Sequence, residues 1–180
     1  MRVITGKFKG RKLVSHKGDL FRPTLDKVKE SIFNVLGDDV IDANVLDLFC
    51  GCGSLGLEAQ SRGAMRATFI DNDKTVMGIT IKNIEQLDIG HKSKFILSDA
   101  FKFLESHEGP GFDIIFADPP YADQYGSKII DLIVKNDILK PGSIFVLERF
   151  KKDKTETKLL KMAKQLNFGQ TEVDFYIRED

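Results

Sequence analysis

Asp47-Leu48-Phe49-Cys50-Gly51-Cys52-Gly53-Ser54-Leu55-Gly56 joins an apolar run, Val45–Phe49, to a helical stretch, Ser54–Arg62, that Gly63 closes. Gly51, Gly53 and Gly56 satisfy the G-x-G-x-x-G pattern at a passage from strand to helix. Glycines there let the backbone turn tightly and approach a ligand with no side chain in the way. The alternation continues downstream. Ala67–Ile70 reads as a strand and Lys74–Leu87 as a helix, then Phe95–Leu97 and Phe112–Ala117 as strands around a short helix, Ala100–Ser106. Tyr125–Val134 reads as helix, Ser143–Leu147 as strand, Thr155–Gln165 as helix and Glu172–Ile177 as a last strand. This order predicts an α/β fold, a mostly parallel central sheet with helices on both faces. Such sheets bind ligands at the carboxyl ends of their strands, so the residues just after each strand are the candidates.

Upstream, Val3-Ile4-Thr5 and Lys12-Leu13-Val14 flank a Gly-punctuated turn from Gly6 to Gly10, the pattern of a short β-hairpin. Pro23 disfavours a helix up to that point, and Thr24 can cap a new one in which Leu25, Val28, Ile32, Val35 and Leu36 repeat at helical spacing until Gly37.

The chain has 180 residues, which suits one domain, 1–180, with residues 1–22 as a basic β-hairpin extension. An apolar share of 42% argues against disorder. Neither a secretory leader nor an apolar run of about 18 residues stands out, so a cytoplasmic protein off the membrane is expected. Cys50 and Cys52 are too close to staple a domain, and no His or Cys cluster completes a metal site, so none is expected. Twenty-seven bases balance 27 acids, but the sum hides an asymmetry. Residues 1–22 hold seven bases against one acid, a net +6, which leaves −6 on the remainder. A later basic run from Arg149 to Lys164 reads as the solvated face of a helix, and His16, His91 and His107 as surface residues.

Asp47 lies four residues before the first glycine of the turn. A carboxylate there would repel a pyrophosphate but suits the ammonium of a methionine moiety, which favours S-adenosylmethionine (SAM) over a dinucleotide. Its other use is to cap amides of the turn. Asp71, twenty residues after Gly51, can accept both ribose hydroxyls of an adenosine, with Asn72 beside it and Asp73 expected to cap the next helix. Asp99, followed by Ala100, can accept from an adenine amine or cap a helix. Phe49, Gly51 and Gly53 complete the candidate cofactor residues.

The fourth strand ends Ala117-Asp118-Pro119-Pro120-Tyr121. Two prolines remove two backbone donors and leave carbonyls exposed, so Asp118 and the Pro119 carbonyl form an acceptor-only pocket for a group that donates two hydrogen bonds, an exocyclic NH2. Drawing those hydrogens out of the ring plane frees the nitrogen lone pair for attack on a methyl group. Tyr121 can stack on the base, a contact worth about 1–3 kcal/mol. An NAD-dependent oxidoreductase would leave Asp118–Tyr121 unexplained, and a non-catalytic RNA-binding module would leave the glycine-rich turn idle.

Taken together, these segments resemble the bacterial 16S ribosomal RNA guanine-N2 methyltransferases. The likeness runs through Arg2-Val3-Ile4-Thr5-Gly6, Lys9-Gly10-Arg11, Arg22-Pro23-Thr24, Phe33-Asn34-Val35-Leu36, Leu55-Gly56-Leu57-Glu58-Ala59, Ser61-Arg62-Gly63-Ala64 and Asp118-Pro119-Pro120-Tyr121. It implies a Rossmann-like class I SAM-dependent fold and methylation of guanine N2 in the assembled 30S subunit. That would suit a chain with no separate recognition domain, expected to act as a monomer in rRNA processing. It further implies RNA contacts at Arg2, Lys9, Arg11, Arg22, Thr24 and Tyr121. Two departures are Cys50 and Cys52, where the family carries Ala and Ser, and Asp71, where it carries Glu. The pocket alone leaves adenine N6 of DNA or RNA open as the target.

Overall fold

The structure is a computed structural model that describes all residues except 16–22, 121–124 and 180, and only the backbone of 23–25. Seven strands form one sheet in the order β3-β2-β1-β4-β5-β7-β6. They are β1 (Asn44–Leu48), β2 (Arg66–Asp71), β3 (Ser93–Leu97), β4 (Phe112–Ala117), β5 (Leu139–Phe150), β6 (Lys161–Phe168) and β7 (Thr171–Ile177). The first five run parallel, and β7 pairs antiparallel with both β5 and β6.

The central strands are apolar on both faces because both are covered. Along β4, Ile114 and Phe116 pack with Val45, Phe69 and Val146 against α1 (Pro23–Leu36), α2 (Ser54–Ser61) and α3 (Lys74–Leu87). The alternate residues Ile115 and Ala117 pack with Leu46, Leu48 and Phe145 against α4 (Ala100–Ser106) and α5 (Tyr125–Lys135). The sheet grows from β1 outward to β3 and then resumes at β4 on the other side of β1. That reversal opens a crevice between the carboxyl ends of β1 and β4.

Two expectations are corrected. Residues 161–168 form edge strand β6 rather than the end of a 155–165 helix. Gly169, at φ +65°, closes a tight hairpin with Phe168 opposite Thr171, and Leu166 and Phe168 pack on the core. Pairing with β7 outweighs the high helix propensity of Lys, Met, Ala and Gln. Lys161 and Lys164 are therefore exposed along a sheet edge, where charge discourages further strand addition.

Thr24 does not cap α1, because the helix begins at Pro23 and Thr24 already lies inside it. Proline suits a first helical position, where its missing N–H would have had no partner. Arg22 and Tyr121 lie outside the described residues.

The expected N-terminal hairpin forms and is short: Arg2 and Lys12 make an antiparallel bridge, with Val3 N donating to the Arg11 carbonyl at 3.0 Å, Gly10 N to the Val3 carbonyl at 2.9 Å and Leu13 N to the Met1 carbonyl at 3.0 Å. Its remaining donors turn outward to α2. The amides of Ile4 and Thr5 donate to the two oxygens of Glu58 at 2.8 and 2.9 Å, Lys7 N to the Ser61 carbonyl at 2.7 Å, and Phe8 N to Ser61 Oγ at 3.0 Å. The leader is thus docked on α2. Gly6 has φ +84°, and a Cβ there would collide with the Ser61 carbonyl. Glu58 is fully buried yet satisfied, since Arg62 Nε (2.9 Å) and Lys29 Nζ (3.4 Å) pair with it as well. Lys29 also donates to the Arg2 carbonyl at 2.7 Å, and its burial pulls its pKa down.

Candidate active site

The carboxyl end of the sheet gathers five acids, Asp47, Asp71, Asp99, Asp118 and Glu148, after or within β1 to β5. The backbone turns sharply among them. Phe49, Gly51 and Gly53 have φ of 55°, 55° and 79°; for a phenylalanine this left-handed conformation is uncommon and costs energy that surrounding structure must supply. A Cβ on Gly51 would enter open space, whereas one on Gly56 would strike the Phe69 ring and stand 3.1 Å from Asp47. Gly51 therefore fronts the crevice, and Gly56 lets α2 close on β1 and β2.

Asp47 is buried, and its Oδ2 accepts from Gly56 N at 2.8 Å, the amide-capping contact that the sequence left as its other use. Desolvation pushes its pKa up to about 8, with the nearby Asp118 and Asp71 charges adding to the rise and the Gly56 bond opposing it. Asp71 Oδ2 accepts from Gly51 N and Oδ1 from Asp73 N, each at 2.9 Å, so it ties the glycine turn to the end of β2. Each carboxylate oxygen keeps a further lone pair for a ligand hydroxyl. Asp73 caps α3 by accepting from Thr75 and Val76 amides. Asp99 caps α4 through Lys102 N at 3.0 Å, Ala100 is buried at the start of that helix, and Asn72 is exposed.

Asp118 stands at the lip of the crevice beside buried Pro119 and exposed Pro120. Solvent reaches the residue, yet enough protein crowds it for desolvation to push its carboxyl up to about 6. Phe101 stands edge-on to Phe49 at 6.1 Å and to Tyr125 at 5.0 Å between ring centroids, an apolar row beside the acids.

Three supports escaped the sequence reading. Thr80 Oγ1 donates to the Gly51 carbonyl at 2.7 Å, and Asn83 Nδ2 donates to the Cys52 carbonyl at 3.1 Å. Asn83 also pairs with both backbone groups of Val14, which fastens the glycine turn to the leader. Both residues lie on the buried stripe of α3 with Met77, Ile84 and Leu87, and a polar residue on an apolar stripe was the available signal. The third is Glu148, which lies within β5 because the strand runs on to Phe150, beyond the apolar stretch that ends at Leu147.

The donor set fits SAM. Asp47, Asp71 and Asp99 offer acceptors for an ammonium, a ribose diol and an adenine amine, and the acids that surround the turn oppose a pyrophosphate. Among the described residues no group of three or more His, Cys, Asp or Glu could hold a metal ion, and no helix is long and apolar enough to cross a membrane.

Comparison with known proteins agrees. Residues 1–177 match the family model described as conserved hypothetical protein 95. The ribosomal RNA small subunit methyltransferase D of Haemophilus influenzae is 38% identical over 156 residues, 86% of this chain and 80% of that protein. The Escherichia coli K12 protein of the same name is 38% identical over 148 residues, 82% of this chain and 74% of that one. The solved E. coli protein yhhF superposes with a TM-score of 0.89 at 34% identity, over 99% of this chain and 98% of its own. A T. thermophilus 16S rRNA N2 methyltransferase solved with AdoMet and guanosine shares the fold, with a TM-score of 0.71 at 22% identity over 91% of this chain and 45% of its own. With the glycine turn, the acid set and the Asp118-Pro119-Pro120 segment all at the carboxyl edge of one sheet, the chain belongs to this family of bacterial small-subunit rRNA methyltransferases, SAM-dependent enzymes of the class I fold.

Proposed function

We propose that this enzyme methylates the exocyclic N2 amine of a guanine in 16S rRNA within the assembled 30S subunit. It acts in the cytoplasm as a monomer, one methyltransferase domain with residues 1–22 as its basic RNA-contacting extension. One observation carries the reading: the acceptor-only segment Asp118-Pro119-Pro120 ends the strand beside the glycine turn, across the crevice where the strand order reverses. The names of the H. influenzae and E. coli relatives support a small-subunit rRNA substrate.

SAM supplies an electrophilic methyl group when bound; the protein's task is to present a nitrogen to it. A base amine is a poor nucleophile because its lone pair is delocalised into the ring. Asp118 and the Pro119 carbonyl accept its two hydrogens and pull them from the ring plane, which restores lone-pair density on the nitrogen. Holding that nitrogen in line at about 3–3.5 Å from its target supplies most of the rate gain. Once methylated, the nitrogen is acidic, and Asp118 or water takes the proton without a strong general base. Because Asp118 must be ionised to accept well, activity falls as pH drops through about 6.

The test is to map the labelled methyl by mass after incubation with SAM and unmethylated 30S particles, free rRNA or duplex DNA. Methyl on guanine N2 of 16S rRNA in the particle is expected. Methyl on adenine N6, or preference for DNA, would overturn the reading.

A further inference from the structure

Glu148 stands beside the amine seat with no role in the chemistry so far. Strands β4 and β5 run parallel with Ala117 opposite Leu147, so Asp118 and Glu148 follow in step on neighbouring strands, whose backbones lie about 4.8 Å apart. They share a face too. Phe116 and Val146 pack toward α1–α3 and Ala117 and Leu147 toward α4 and α5, so strand alternation returns both carboxyl residues to the α1–α3 side. Arg149 does not neutralise the pair, because it lies on the opposite face and binds Glu172 at 2.7 Å and Asp174 at 2.6 Å. Among the described residues, no cation pairs with Glu148. Burial, and after it the Asp118 charge, pushes Glu148 up to about 8, so the two carboxyls feel one another.

This arrangement offers three acceptors in a row: the Asp118 carboxyl, the Pro119 carbonyl and the Glu148 carboxyl. The bases differ in what they bring to such a row. Adenine N6 and cytosine N4 each carry two hydrogens next to a ring nitrogen with a lone pair. Guanine N2 carries two hydrogens next to N1–H, which makes three adjacent donors. We propose that Glu148 accepts the N1–H of the target guanine and is the residue that selects guanine over other amine-bearing bases. A base with a lone pair at that position offers no hydrogen to the half-buried Glu148 carboxylate, and sites built around a donor reject analogues that lack it. The proposal rests on the guanine-N2 reading above and deepens it: two acceptors hold the amine, and the third reads the ring nitrogen.

The test compares 30S particles reconstituted with guanine or with 2-aminopurine at the modified position. 2-Aminopurine keeps the 2-amine but has a lone pair in place of N1–H. Wild-type enzyme assayed above about pH 8, where Glu148 is ionised, is expected to favour guanine in kcat/KM by at least about 10- to 100-fold, the range of one charge-assisted hydrogen bond. Glu148→Ala is expected to lower the guanine to 2-aminopurine ratio by the same factor. Glu148→Gln, which keeps an acceptor oxygen, retains most of the preference. Calorimetry with SAM is expected to give unchanged affinity for both variants, which separates base selection from loss of fold. An equal loss on both bases in Glu148→Ala, or an unchanged ratio, would overturn the role of Glu148 and leave the guanine-N2 reading standing. Wild-type methylation at a position other than guanine N2 would overturn both.

Discussion

The two ends of the sheet invite opposite guesses. The amino end holds a cavity of about 470 Å³, with Arg66, Lys92, Lys94 and Lys140 around it and the tilted rings of Phe103, His107 and Phe112 in contact within it. The carboxyl end collects five acids, a phenylalanine and two glycines in left-handed backbone, and three carboxyls whose pKa values burial has raised. Ordinary packing explains the first end. Its lysines are largely solvated, and Lys140 is neutralised by Asp113 at 2.7 Å. Nothing structural requires the second, where buried Asp47 feels the charges of Asp71 and Asp118 and the backbone is held against its preference. Crowded like charge and strained backbone persist where a ligand repays them, and the amino-end cavity carries neither mark.

Removing the amine seat is expected to give the largest effect. Asp118→Ala should reduce methyl transfer by about 10³-fold or more, within the range for a group that orients a nucleophile and handles its proton. SAM affinity by calorimetry should survive, because the cofactor acceptors lie on β1 to β3. Retained turnover with lost SAM affinity would move the chemistry away from Asp118 and break the contrast between the two ends.

That contrast was half legible beforehand. Strand polarity and the glycine pattern located Asp47, Asp71, Asp99 and Asp118 by position, because a parallel sheet ties sequence order to one edge. What Asp47 and Asp99 touch was not legible. Each has an amide within reach in its own turn, and only packing decides which oxygen is spent on Gly56 or Lys102. The hairpin of the leader was legible, but its seat was not, because Ile4, Thr5, Lys7 and Phe8 find their partners on α2, across more than 50 residues of chain. Ser61-Arg62 and Gly6 then make sense as one docking joint. The false helix at 155–165 failed for a more local reason: β7, its hairpin neighbour, overrode helix propensity.

A second test concerns stability. Asp47, Asp118 and Glu148 hold protons more tightly in the folded enzyme than in the unfolded chain, so folding takes up protons as pH rises above the ordinary carboxyl range. The stabilisation is complete below that range and drains away as pH climbs through about 6 for Asp118 and about 8 for Asp47 and Glu148. Urea unfolding of the ligand-free protein should therefore show stability falling between about pH 4 and pH 8. Asp47→Asn can still accept from Gly56 N, so it should flatten the upper part of that slope and gain about 1–3 kcal/mol near pH 8 while losing SAM affinity. An unchanged slope would mean that Asp47 is not the acid that the crevice holds neutral.

The leader supplies a milder test. Backbone amides dock it on Glu58 and Ser61, so its bases can be changed without undocking. Lys9 and Arg11 are exposed, while Arg2 shares its charge with Asp26 at 3.0 Å. Neutralising Arg2, Lys9 and Arg11 together should weaken binding to 30S particles by about tenfold. The salt slope of log K should fall by about 0.7 for each phosphate that these side chains no longer neutralise. An unchanged slope would take the RNA off this face.

The smallest effect belongs to the amino end. Lys92 and Lys94 stand on its rim, a full strand length of about 17–20 Å from the acids, and solvent already screens both. Lys92→Ala combined with Lys94→Ala should leave kcat/KM on 30S particles within about twofold and the salt slope unchanged, since exposed charges that meet no phosphate contribute little. A loss as large as that of the leader variant would mean that RNA wraps from the carboxyl edge to the base of the sheet. The cavity would then join the substrate footprint, and the amino end would share in binding.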